Sequence, residues 1–99
     1  MDSPFTDREL TRLRADFPIL SRRGRGGKPI VYLDAAATSQ KPRSVIQAES
    51  SFYENSNGAV HRGTHLLADE SSQYFEDARL KLAGFVGASP DEIVWTKNA

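Results

Sequence analysis

The 99-residue chain has no cysteine. That excludes, within this stretch, a disulfide framework, a thiolate metal cluster and a cysteine nucleophile. It also lacks an excess of either charge, since 13 Lys and Arg stand against 13 Asp and Glu. Composition therefore gives no reason to expect nucleic acid or an anionic membrane as a partner. Long apolar runs are missing too: the longest, such as residues 30–33, fall far below the roughly 20 residues of a membrane helix. The first eight residues contain Asp2 and Asp7 and no apolar centre, so no secretory signal is read there and the cytoplasm is the expected compartment. The length corresponds to one small domain. A chain of this size buries only about two-thirds of its unfolded surface.

What is present begins with a helix. Thr6 followed by Glu9 is a capping box, and Leu10, Leu13 and Phe17 then form a narrow apolar stripe. Pro18 ends it, because the residue before a proline is driven out of the helical region. Residues 21–28 are a loop rich in Arg and Gly. Gly27-Lys28 fails the phosphate-loop pattern, since Arg22 stands where the upstream glycine belongs and Pro29 where Ser or Thr should follow. A solvated turn is the reading.

Residues 30–33 are expected as a strand, running into the small-residue segment Asp34-Ala35-Ala36-Ala37-Thr38. Pro42 suits a first helical turn. Val45, Ala48 and Phe52, flanked by Ile46 and Tyr53, mark a second amphipathic helix that residues 55–58 end. A long third helix is expected over about 67–86, with Ser71, Phe75, Ala78, Leu82 and Phe85 on its apolar face. Glu70, Glu76 and Asp77 are assigned to water among Arg79 and Lys81, and Gly87 to the helix end. Residues 89–92 make a turn and residues 93–96 a second strand. Two strands so far apart in sequence do not make a satisfied sheet by themselves, so the pattern reads as the opening of a larger α/β protein.

The most chemically loaded stretch is Val60-His61-Arg62-Gly63-Thr64-His65. His61 and His65 would share a helix face, but the zinc-protease pattern HExxH is absent because Arg62 and Gly63 fill its second and third places. No metal site is expected. His61 has two readings on spacing alone: a stacking or proton-handling group, or a histidine hydrogen-bonded within a packed loop. Arg62 suits bidentate binding of a carboxylate or phosphate, or an ordinary salt bridge. Asp34 is either a carboxylate at a sheet edge or a cap for the next segment. Neither a nucleophile elbow nor GxGxxG is present.

Three segments taken together resemble one family. They are Tyr32-Leu33-Asp34-Ala35-Ala36-Ala37-Thr38-Ser39-Gln40-Lys41-Pro42, then Asn57-Gly58-Ala59-Val60-His61-Arg62-Gly63-Thr64-His65, then Ile93-Val94-Trp95-Thr96-Lys97-Asn98-Ala99. In this order and spacing they look like the N-terminal part of a SufS-type (group II) cysteine desulfurase, a pyridoxal-phosphate (PLP) enzyme of the class V aminotransferase branch. The helix over residues 6–17 with its Asp16-Phe17-Pro18 exit resembles that family's N-terminal arm.

The resemblance implies an α/β PLP-dependent transferase of fold type I, to which this chain contributes few strands. Residues 1–33 would be an arm joining the small domain, and residues 34–99 the start of the large PLP-binding domain. The implied reaction converts L-cysteine to L-alanine and delivers persulfide sulfur for iron-sulfur cluster assembly, in a cytoplasmic homodimer that hands sulfur to an acceptor protein. PLP serves as the electron sink. Ala36 and Ala37 would let substrate and cofactor lie against backbone. His61 would stand at the active-site mouth, with Arg62 beside it serving the dimer interface. Ala99 would begin the turn whose amides cradle the PLP phosphate.

Ala35 departs from the Asn or Ser frequent at that place in the family. The Schiff-base lysine, the persulfide cysteine, the aspartate on the pyridine nitrogen and the arginine for the substrate carboxylate all lie further along in the family. No catalytic residue is assigned in this chain, and Lys28, Lys41, Lys81 and Lys97 do not match the aldimine lysine's context. The 99 residues alone are expected to be inactive. The rival readings are another PLP enzyme of the same fold, with kynureninase-like or epimerase-like chemistry, and a self-standing α+β interaction module.

Overall fold

Three helices carry the structure, a computed structural model that describes residues 4–97. Helix α1 spans Asp7–Ala15, α2 Arg43–Asn55 and α3 Leu66–Val86. The chain divides between Ser50 and Ser51 into two compact units.

The first unit starts where the capping box places it. The Glu9 amide donates to Thr6 Oγ1 (3.2 Å), and the Thr6 amide donates to Glu9 Oε2 (2.7 Å). Both bonds satisfy amides that a helix start leaves orphaned. The helix stops at Ala15, earlier than the expected Phe17, and Pro18 opens a short 3-10 turn, Pro18–Ser21. Leu10 and Leu13 remain about two-fifths exposed while Phe17 is half-buried, so the α1 stripe is only partly covered. The Arg-Gly loop closes on itself: the Gly24 amide donates to the Lys28 carbonyl (2.8 Å), and Arg23 bridges to Pro29 in antiparallel fashion. Gly26 and Gly27 take positive φ at the tip, where a side chain would be strained. The Arg43 amide donates to the Asp16 carbonyl (2.8 Å), tying the start of α2 to the end of α1.

The second unit is built on α3. His65 is its N-cap, with Nδ1 accepting from the Ala68 amide at 3.2 Å. Gly87 closes it in the left-handed region, φ 73°, as a residue just past a helix end often does. The Ala88 amide then donates to the Ala83 carbonyl (2.8 Å). Ala68, Ser71 and Ala83 are the buried positions of α3. This differs from the expected face: Phe75 is half-buried, but Ala78, Leu82 and Phe85 are exposed. Ser71 keeps its expected buried place, and the other two buried positions, Ala68 and Ala83, stand outside the expected set. The 89–92 turn is a 3-10 turn, Pro90–Glu92, with the Ser89 amide donating to Glu92 Oε1 (2.9 Å).

Both strand expectations need correcting. Among the described residues, 30–33 and 93–96 join no ladder. Val31, Leu33 and Val94 are more than three-quarters exposed. Their β-branched content favours extended backbone, as at Ile93 (φ −97°, ψ 122°). A strand, however, exists only as one side of a hydrogen-bonded pair. The described fold is accordingly helical, without the strands expected of an α/β unit. No helix among the described residues is long and apolar enough to cross a membrane.

Candidate functional site

The loop between α2 and α3 gathers the polar residues singled out by sequence. It can do so because two glycines let it lie against the start of α3. A Cβ on Gly58 would stand 2.7–2.9 Å from backbone atoms of Leu67 and Ala68, and one on Gly63 would meet Ala68 Cβ and His65 Nε2 at 2.9 Å. At the base of the loop the hydroxyl of buried Ser71 donates to the carbonyl of buried Ser56 (2.8 Å).

His61 sits in the middle of this loop with φ 57°, the one described non-glycine residue at positive φ. Few residue types tolerate that region; histidine, asparagine and aspartate are enriched there. Its amide donates to Ser72 Oγ (2.8 Å), and its ring nitrogen Nε2 lies 2.9 Å from Glu76 Oε1. The ring meets Phe75 edge to face, with centroids 6.0 Å apart. Phe75 in turn meets Trp95 edge to face at 6.1 Å. Arg79 lies over the other part of this cluster, its guanidinium carbon 5.2 Å from the Phe75 centroid and its Nε 3.6 Å from Glu76 Oε2. The His61 and Glu76 side chains are about half and two-fifths exposed, and such a pair adds at most about 1 kcal/mol to stability.

The structure thus holds His61 by hydrogen bonds, an arrangement common to both of its readings. It also leaves the ring accessible. His65 does not share a helix face with it, because His65 caps α3 from outside. Among the described residues no group of three His, Cys, Asp or Glu is placed to hold a metal ion. Arg62 is exposed and makes no hydrogen bond or ion pair among the described residues. Glu76, assigned to water from its place in the helical pattern, is the residue sequence reasoning missed. Its spacing from Ser72 and Arg79 puts all three on one face of α3, but nothing in the sequence says that the preceding loop folds back onto that face.

The small-residue segment lies in the first unit. Ala36 and Ala37 occupy an exposed turn in which the amides of Ala37 and Thr38 donate to the Asp34 carbonyl (3.0 and 3.3 Å). The Tyr32 hydroxyl spans the turn, within bonding reach of the Asp34 carbonyl (2.9 Å) and of the Thr38 carbonyl. Lys41 Nζ donates to the Ser39 carbonyl (2.7 Å). Asp34 thus serves through its backbone, and its exposed carboxylate caps nothing among the described residues. Ala99, assigned to the phosphate cradle, lies outside the described residues, as does Asn98.

Residues 31–99 match the family model described as aminotransferase class-V. Over all 99 residues the chain is 50% identical to a probable cysteine desulfurase 2 of Mycobacterium leprae, covering 24% of that protein. It is 54% identical over 88 residues to a probable cysteine desulfurase of Streptomyces coelicolor, covering 21% of it. Among solved structures, the apo structure of a cysteine desulfurase from Thermococcus onnurineus superposes with a TM-score of 0.75 at 33% identity. That likeness covers 99% of this chain and 22% of the other. The chain thus spans between a fifth and a quarter of the length of these relatives. The matched region includes the alanine turn, the histidine loop and the segment after α3, and on that match the chain belongs to the class-V aminotransferase family.

Proposed function

We propose that this chain is the N-terminal part of a SufS-type (group II) cysteine desulfurase, which converts L-cysteine to L-alanine and passes persulfide sulfur to an acceptor protein of iron-sulfur assembly. The observation that carries the reading is the 50% identity to a probable cysteine desulfurase across the whole chain. The whole protein in this reading is an α/β transferase of fold type I, a cytoplasmic homodimer that acts without nucleic acid or membrane. Residues 1–33 contribute its arm and residues 34–99 open its large domain.

PLP, when bound, supplies the electron sink of the reaction. The described residues suit its neighbourhood in one respect. At the tip of the turn the exposed side chains of Ala35, Ala36 and Ala37 are methyl groups alone, so a planar ligand and an amino acid can approach the main chain closely there. In this reading Ala36 and Ala37 border substrate and cofactor, and His61 faces the substrate at the mouth of the site. Arg62 stands beside it, with a guanidinium free to pair outside the described residues. Ala99 opens the phosphate-binding turn. No lysine of this chain is given a catalytic role, and the 99 residues alone are inactive.

Two measurements test this. A polypeptide of relatives' length that includes this chain should form alanine from L-cysteine with PLP; transamination or another product in its place moves the reaction assignment. The 99-residue chain, mixed with PLP and treated with borohydride, should retain no stoichiometric adduct. One trapped lysine per chain overturns the assignment of inactivity.

A further inference from the structure

Glu76 lies on the flank of α3 that its helical pattern gives to solvent, yet its carboxylate is divided between two partners. We infer that Glu76 is a positioning residue for His61: it holds the imidazole as the Nε2–H tautomer and leaves Nδ1 as the acceptor for a donor group of an amino-acid substrate. An ionised carboxylate only accepts hydrogen bonds. The 2.9 Å contact between His61 Nε2 and Glu76 Oε1 therefore places the proton on Nε2. A neutral imidazole has one such proton, so the lone pair falls on Nδ1.

Three further contacts limit the ring's freedom. The His61 main chain is braced at φ 57° by its amide's bond to Ser72 Oγ (2.8 Å). The ring's flank is set against Phe75 at an interplanar angle of 84°. Arg79 Nε stands 3.6 Å from Glu76 Oε2 and makes no other polar contact, which keeps that oxygen on the arginine side and Oε1 on the histidine side. An ordinary surface ion pair has neither a left-handed backbone nor a brace on both main chain and ring from one helix face. The assignment of the tautomer stands on these contacts alone. Its consequence for substrate rests on the proposed desulfurase reading.

Protein labelled with 15N-histidine tests the tautomer through long-range proton–nitrogen spectra, taken on the alkaline plateau where the histidine nitrogen shifts no longer change with pH. In the wild type, Nε2 should appear at the protonated shift and Nδ1 at the unprotonated one, widely separated. Glu76→Gln keeps the shape but offers an amide that satisfies either tautomer, so the two His61 shifts should move toward each other. Glu76→Ala should do the same. His65, fixed by the Ala68 amide at its Nδ1, should not move in either variant and reports that α3 is intact. A wild-type His61 that is averaged or protonated on Nδ1, or shifts unchanged in both variants, overturns the inference.

In a full-length desulfurase, Glu76→Gln should lower kcat/KM by about tenfold or more with PLP still bound, since a misplaced group costs up to about 100-fold. Unchanged kcat/KM in that variant overturns the role toward substrate. Absence of desulfurase activity in the wild type overturns the proposed function and leaves the tautomer result standing.

Discussion

Ser71, on the third helix, donates its hydroxyl to the carbonyl of Ser56 just past the second helix, at 2.8 Å with both residues buried. This bond joins the end of one helix to the flank of the next and sets the height at which the histidine loop begins. A carbonyl at the end of a helix has no intrahelical donor, and Ser71 supplies one where water has little access.

Ser71→Ala should therefore destabilise the second unit by about 1–3 kcal/mol, the cost of stranding a buried acceptor. Urea unfolding followed by helix circular dichroism reads this as a lower midpoint with an unchanged slope. A midpoint within error of the wild type would show that water replaces the hydroxyl.

Two glycines of the same helix should respond oppositely to alanine. Gly87 sits at φ 73°, where a Cβ costs about 1–2 kcal/mol, so Gly87→Ala should lower the midpoint. Gly84 lies within the helix with nothing within 4 Å of an added Cβ, so Gly84→Ala should raise stability by about 0.5–1 kcal/mol. Equal effects of the two substitutions would contradict the helix ending seen at Gly87.

Tyr32→Phe removes the hydroxyl shared by the Asp34 and Thr38 carbonyls. The turn that carries Ala36 and Ala37 should loosen, at a cost of about 0.5–1.5 kcal/mol. Amide exchange at Ala37 and Thr38, which donate to Asp34, should quicken by roughly threefold to tenfold for that local cost. Exchange that is unaffected would mean the small residues hold the turn without the phenol.

Much of the fold was legible in local chemistry. The Thr6–Glu9 box, the glycine after Val86 and the spans of α2 and α3 depend on neighbours three or four residues away, which the linear order already contains. The alanine turn and the histidine loop were legible as motifs for the same reason: each is one short run of residues. Two kinds of feature were not. Residues 30–33 and 93–96 have strand-like composition, but pairing is a relation to another segment, and no described segment supplies it. Helix α1 also ends two residues before Phe17, because a proline limits a helix without stating where the last hydrogen bond falls.

The places of the helices, the loop that holds the reactive side chains and the family that the motifs resemble all follow from the identity and spacing of nearby residues. It takes the folded chain to show that His65 caps a helix while His61 is held by Ser72 and Glu76, and that Arg62 stays clear of them. These distinctions depend on the Gly58 and Gly63 loop lying against α3, and the contact of His61 with Glu76 spans fifteen residues. No local pattern encodes it; the close approach of two backbones does.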